Sequence, residues 1–518
     1  MKNKLILIIT VLFAATVSYG QGEIDVLRMS RNDLNGTARG IAMGGAFGAL
    51  GGDITGIAIN PAGLGVYRSS EVVGTMNFST TAIETNWQNY KSSDDKFKFN
   101  FDNLSYIGYY PLGNETLPWI NFGFSYNRLK NFQRQYTASG RDMKSSLTDY
   151  IAHITNGSEA LNMDSDYGDP YRSGVPWLGV LGWNGYLIDS DVNDPHNTIY
   201  KSPLLEGETV DPSLKVTENG HIESYDFSVG TNVADKFLLG LTFSITDIYY
   251  SMYSKYTEET VDGGFDLMND FSTEGSGCQI ALGAIYRPID ALRFGVSYHS
   301  PTWYALTDYF QGRSDQNFNP LSGGSSSAAT PDGAYNDYKL STPHRWTFSA
   351  AAILGQSAIL SLDYELTDYR GMDLKYADGF EDKENNYFID TDFKTSSTVR
   401  AGLEYRVTPQ FSLRAGYAVM QQPYEKQFKA GNVQVMTVGT IPHYTIEGDI
   451  SQLSFGLGYK FTPQFYIDAA FVSRTQTDDL YFFPKFIEES SGQVLLNSTP
   501  AQFKNNLNKV AITLGYKF

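Results

Sequence analysis

From Glu71 to Phe518 the chain alternates, residue by residue, between apolar or aromatic side chains and polar ones or glycine, the period of a β-strand with two unlike faces. The last segment is the clearest. Val510, Ile512, Leu514, Tyr516 and Phe518 share one face, and Ala511, Thr513, Gly515 and Lys517 share the other. Fourteen such segments lie near 71–80, 102–111, 119–128, 221–232, 236–250, 276–287, 291–304, 342–354, 358–372, 396–407, 410–420, 449–461, 464–475 and 508–518. Alternation alone suits a soluble sandwich as well as a membrane barrel. The links decide: short ones at 112–118, 234–235, 288–290, 355–357, 408–409 and 462–463 alternate strictly with long ones at 81–101, 129–220, 251–275, 305–341, 373–395, 421–448 and 476–507. An even number of strands with short turns at one end and long loops at the other predicts an all-β, 14-stranded antiparallel outer-membrane barrel. In hydrocarbon every backbone N–H and C=O needs an internal partner, which strands find only in a closed sheet.

Two turns are near copies, Tyr405-Arg406-Val407-Thr408-Pro409-Gln410-Phe411 and Tyr459-Lys460-Phe461-Thr462-Pro463-Gln464-Phe465, and their aromatic residues suit an interfacial girdle. Composition agrees with a barrel. Of 518 residues 14% are aromatic and only 19% charged, against about a quarter charged in ordinary globular chains. The net charge of −18 argues against nucleic acid as a partner, since such binding rests on cationic side chains releasing counterions. The single Cys278 precludes an internal disulfide, and no Cys/His pair has metal-ligand spacing, so neither metal nor cofactor is expected. At the N-terminus Lys2 and Lys4, an apolar run from Leu5 to Val17, and Ser18-Tyr19-Gly20 before Gln21 read as a cleaved signal peptide at 1–20.

Residues 21–70 break the strand pattern and form a segment distinct from the barrel at 71–518. They contain Thr37-Ala38-Arg39-Gly40-Ile41-Ala42-Met43-Gly44-Gly45-Ala46-Phe47, then Asp53 and Asn60-Pro61-Ala62-Gly63-Leu64. The glycines lack the Gly-Lys-Ser/Thr and strand-helix context of a phosphate loop. This segment closely resembles the N-terminal hatch of the outer-membrane hydrophobic-compound transporters of the FadL/TodX family. The resemblance implies a monomeric barrel plugged by the hatch, with outer-membrane lipid and lipopolysaccharide around it and the barrel assembly machinery behind its insertion. It further implies passive transport of long-chain fatty acids or similar compounds, captured at extracellular loops and released sideways beside the hatch. On this reading Asn60, Pro61 and Ala62 line the substrate's passage, Arg39, Met43, Gly44, Gly45 and Asp53 build the hatch, and Gly123 is a candidate kink in the wall.

The long stretch at 129–220 exceeds what a connector needs. Its apolar cluster, including Trp177, Leu178, Leu181 and Trp183, is a candidate capture patch, with a loop packing on itself as the alternative. By parity Arg293, Arg400 and Arg414 face the lumen and are candidate contacts for a carboxylate. Ser297 and His299 share that face, but no third group or Gly-x-Ser-x-Gly supports hydrolysis, so no enzyme is expected. The acidic stretch 376–392 lacks the spacing of a calcium loop. The alternative function is a receptor or adhesin that binds haem or a surface ligand through its loops; six scattered histidines weaken the haem version.

Overall fold

The computed structural model describes residues 22–205, 207–317, 325–355, 357–435, 437–488 and 493–518, so the expected signal peptide lies outside the described residues. Fourteen strands form the wall: β1 (Glu71–Trp87), β2 (Tyr90–Pro111), β3 (Trp119–Asn131), β4 (Asp211–Val233), β5 (Phe237–Thr260), β6 (Gly263–Ile289), β7 (Leu292–His299), β8 (Arg345–Leu354), β9 (Ala358–Asp368), β10 (Thr395–Arg406), β11 (Phe411–Met420), β12 (Ile450–Lys460), β13 (Phe465–Tyr481) and β14 (Ala501–Lys517). Each pairs antiparallel with its neighbours in chain order. β14 closes the barrel on β1, from Glu71↔Lys517 to Asn86↔Gln502.

The apolar parity faces outward. On β5 the exposed Phe237, Leu239, Leu241, Phe243 and Ile245 form an unbroken band that ends at Asp247. At about 3.3 Å per residue that band is roughly 26 Å along the strand, which at a tilt of about 40° spans roughly 20 Å of the roughly 25 Å apolar height of such barrels. The two near-copied turns fold alike. Thr408 Oγ1 accepts from the Phe411 amide at 3.0 Å and Thr462 Oγ1 from the Phe465 amide at 2.9 Å, so the threonine closes each turn beside the proline.

Two of the expected long loops are not loops. The stretch 81–101 is strand except for Gln88 and Asn89, a two-residue turn with φ of 48° and 75°. The stretch 251–275 likewise turns only at Val261 and Asp262. The reason is physical: outside the bilayer the outward parity becomes polar while ladder hydrogen bonding continues, so the alternation used to find strands fades before the strands do. The wall also continues in separate pieces. Arg134–Ser139 extends the line of β3 along β4, and Trp303–Gln316 extends that of β7 along β6 after a break at Ser300 and Pro301, where proline has no N–H to give the ladder.

Residues 22–70 fill the lumen. Helix α1 (Glu23–Ser30) sits at the long-loop end, its Ile24, Val26, Leu27 and Met29 packed into the core of the long loops. The chain then descends to α2 (Ala38–Ala42), α3 (Ile54–Ile59) and a 3₁₀ turn at Pro61–Val66 near the short-turn end. There Ser70 and Phe518 exchange backbone hydrogen bonds at 3.0 and 3.1 Å. The stretch between β3 and β4 folds into α4 (Leu147–Thr155), α5 (Trp177–Asn184) and short 3₁₀ turns.

Candidate functional site

The hatch motif is held by its own polar side chains. Thr37 caps α2 by accepting from Gly40 N at 3.0 Å and donates to Asp53 Oδ1 at 2.7 Å. Asp53 in turn caps α3 through Thr55 N at 3.0 Å. Gly44 and Gly45 take φ of 65° and 76°, a left-handed pair that residues with a Cβ adopt only under strain. Met43 is fully buried. Arg39 crosses to the wall, where its guanidinium donates to both Glu404 carboxylate oxygens at 2.8 and 3.1 Å. Arg414 donates to the same Glu404 at 2.7 Å and to Asp468 at 2.6 Å.

The wall receives the hatch on glycines. A Cβ at Gly230 on β4 would stand 2.8 Å from the Leu64 Cβ, and one at Gly402 on β10 would stand 2.6 Å from the Met43 carbonyl oxygen. Gly240 on β5, Gly283 on β6, Gly295 on β7, Gly416 on β11 and Gly456 on β12 would each meet hatch atoms at collision distance. The polar-or-glycine parity of the sequence is therefore partly a socket: seven strands present backbone so that the hatch backbone can lie flush.

Asn60, Pro61 and Ala62 lie against β5, β6 and β7. The Asn60 Oδ1 accepts from Ala62 N at 3.1 Å, while its amide donates to Gly48 O at 2.7 Å and reaches the carbonyls of Ala284 and Val296 at 3.3 and 3.4 Å. Those two wall residues remain paired with each other, so Asn60 seals hatch to wall without bridging a gap. Gly123 is not at a kink. It stays in register with Ile107 and Ser228, and a Cβ there would make ordinary contacts of 3.5 Å to Ser228 and 3.7 Å to Leu64. The irregularity in β3 comes later, between Arg128 and Lys130.

The loop patch takes the self-packing alternative, and the three arginines face the lumen as their parity implies but with partners already in place. Trp177, Leu178 and Leu181 are buried, with Trp183 packed against them; the patch is the core of the loop cap, not an exposed groove, because α5 packs on α4. Its Trp177 indole N–H donates to Tyr171 O at 3.1 Å. Arg293, Arg400 and Arg414 face inward, yet Arg293 donates to Leu50 O at 2.6 Å and Arg414 is engaged by its two carboxylates. Arg400 pairs with Glu365 at 3.0 Å and lines a lumen cavity. Ser297 and His299 contact the hatch carbonyls of Ile59 and Ala58 at 2.8 and 3.0 Å. The acidic stretch folds into α6 (Lys383–Asp392), capped by Asp382. Burial pushes the Asp392 carboxyl up to about 6.

Above the hatch two cavities adjoin, sharing Asn32, Asp33, Asn35, Arg128, Ile450 and Arg474. Sequence reading missed the first. Nine cationic side chains line it against three carboxylates, Asp33, Asp102 and Glu447. Five are arginines with carboxylate partners: Arg28 with Asp25, Arg31 with Glu447, Arg128 with Glu223, Arg134 with Glu218 and Arg474 with Asp33. Burial alone would raise the Glu447 carboxyl, but Arg31, then Lys130 and Arg134, hold it below the usual range. No group of three potential metal ligands occurs among the described residues.

No sequence similarity to a curated protein is detected. The structure resembles a FadL homologue of Pseudomonas aeruginosa, with TM-score 0.54 and 14% identity over 94% of this chain and 100% of that one. It also resembles the P. putida toluene transporter TodX, with TM-score 0.51 and 12% identity over 94% of this chain and 99% of that one. At such identities the likeness shows a shared fold. Residues 226–518 match the profile of the outer membrane transport proteins, and the chain belongs to that family of transport channels, described as Outer membrane protein transport protein (OMPP1/FadL/TodX).

Proposed function

We propose that this protein passively admits hydrophobic small molecules, long-chain fatty acids or similar compounds, through the outer membrane of a Gram-negative cell. Substrate is taken up at the loop cap, passes through the lumen cavities and leaves sideways beside the hatch. The observation that carries this reading is the seating of the hatch on glycines of seven strands, which sets hatch backbone flush against the wall below the lumen cavities. The lateral step then requires the Asn60–Ala62 turn to lift from β5, β6 and β7. Burying a CH₂ group releases roughly 0.8 kcal/mol, so descent into the bilayer needs no energy source. We further propose that residues 1–20 are a cleaved leader, that the barrel assembly machinery inserts the chain, and that it works as a monomer among lipid and lipopolysaccharide.

The test is uptake of labelled oleate, toluene and haemin by cells carrying the protein, Asn60→Ala, or a hatch deletion. Uptake of oleate or toluene that changes with the hatch variants is expected. Uptake of haemin alone, indifferent to both variants, would overturn the proposal in favour of a loop-binding receptor.

A further inference from the structure

In a chain of net charge −18, the first lumen cavity inverts the sign. Its arginines are paired, but Lys96, Lys98, Lys130 and Lys509 have no carboxylate within ion-pair distance among the described residues. Three of them find only neutral acceptors. Lys96 donates to Asn219 Oδ1 at 2.8 Å, Lys130 to Arg28 O at 2.6 Å and Lys509 to Leu34 O at 2.9 Å. Strand register sets two in one row: Ser79 on β1 pairs with Lys98 on one side and Lys509 on the other. At about 4.8 Å between strands the two backbones are roughly 10 Å apart, on one face, with their like charges directed into the same space. One residue pair higher in the sequence numbering of β2, Asn100 is 3% exposed. Arg128 Nη1 donates to its Oδ1 at 3.0 Å, which fixes the amide, and its Nδ2 then has no acceptor. A buried donor without a partner costs about 1–3 kcal/mol. An anion in the cavity would relieve the repulsion, and one drawn up against Asn100 would give this closed-off donor its acceptor.

We propose that this cavity binds a doubly charged head group, of the phosphate monoester class, on an amphiphile whose tail occupies the adjoining cavity. Lys98 and Lys509 supply the charge and Asn100 Nδ2 a directed hydrogen bond. The tail's place is assigned to the second cavity, which shares one edge with the first and carries Leu34, Leu129, Ile59, Ala418 and Met420 beside the charged Arg345, Glu365 and Arg400. Asp102 lines the same cavity, with its Oδ1 engaged by Asn77 Nδ2; a ligand carboxylate meets one lysine of the row, and a dianion meets both. The inference rests on the transport reading above and narrows its cargo.

The experiment measures binding of dodecyl phosphate, dodecanoate, dodecanol and inorganic phosphate to the full-length protein in detergent, by titration calorimetry. Dodecyl phosphate is expected to bind roughly tenfold or more tighter than dodecanoate, and dodecanoate tighter than dodecanol. Lys98→Met with Lys509→Met is expected to erase that order while leaving dodecanol unchanged, and added salt to weaken the phosphate only. Asn100→Leu, which removes the directed donor without removing charge, is expected to lower phosphate affinity alone. Equal affinity for all three head groups, or an order untouched by the lysine changes, overturns the head-group site and leaves hydrophobic transport standing. Inorganic phosphate binding as well as dodecyl phosphate refutes the amphiphile. If no tailed compound binds, the transport reading falls with it. Heat-modifiable gel migration shows that each variant keeps its barrel.

Discussion

Replacing Gly283 by alanine tests whether the glycine socket is what seats the hatch. The new Cβ would stand 2.8 Å from Ala62 N and 3.0 Å from Pro61 Cδ and would collide with Asn60 Oδ1, whereas ordinary contact begins at 3.4 Å. Neither neighbour yields easily, since one side is a strand paired on both edges and the other is hatch backbone. Overpacking of this kind costs about 1–3 kcal/mol. Displacing Asn60 also endangers its 3.1 Å bond from Ala62 N and its 2.7 Å bond to Gly48 O, about 1 kcal/mol each. The hatch turn is thus expected to loosen by about 3–5 kcal/mol while the wall stays intact. At 1.4 kcal/mol per factor of ten, a cysteine at the buried Ala62, in a Cys278→Ser background, should react with a maleimide at least about 100-fold faster in Gly283→Ala. Gly123→Ala is the control, because its Cβ meets only ordinary contacts, and its labelling rate should stay within about twofold of the parent. Equal labelling in Gly283→Ala and the parent, or equal acceleration in both variants, refutes the socket.

Three further outcomes are expected. Glu404→Ala leaves Arg39 and Arg414 without their shared carboxylate, a loss of about 3–5 kcal/mol that should appear as a lower thermal midpoint in detergent. His443, in the loop before β12, is buried and held down to about 3, by burial first and then by Arg28 and Arg134. Its stabilising neutrality is complete above the unfolded pKa near 6.5 and is lost as pH falls toward 3. Stability at pH 5 should therefore be about 2 kcal/mol lower than at pH 8, and His443→Gln should flatten that slope in denaturant titrations. Trp177→Ala opens the loop core at a cost of about 3–5 kcal/mol; limited proteolysis should then cut between 132 and 210 while heat-modifiable migration of the barrel is unchanged.

The wall was legible because its determinants are local. Val510 to Phe518 alternate within nine residues, and the copied Thr-Pro turns close on their own hydroxyls; neither depends on what the strand pairs with. The hatch motif was legible by resemblance, and the internal capping of Thr37, Asp53 and Asn60 spans at most eighteen residues. Strand length was not, since β5 and β6 continue as a ladder after their outward residues turn polar, and backbone pairing leaves no mark in side-chain pattern. Nor was the fate of Trp177, Leu178 and Leu181, because a run of apolar residues reads alike whether it lines a groove or fills a core.

What the sequence by itself determined is the parity of each strand and hence a closed barrel with a polar interior. The tertiary structure alone decided what that interior does: which glycines become a socket, that Arg39 meets Glu404 across 365 positions, and that Lys98 and Lys509 flank Ser79 in one row. Parity is fixed by the two-residue period of a single strand, whereas a site in a lumen is fixed by which strands close next to which, and closure joins the first strand to the last.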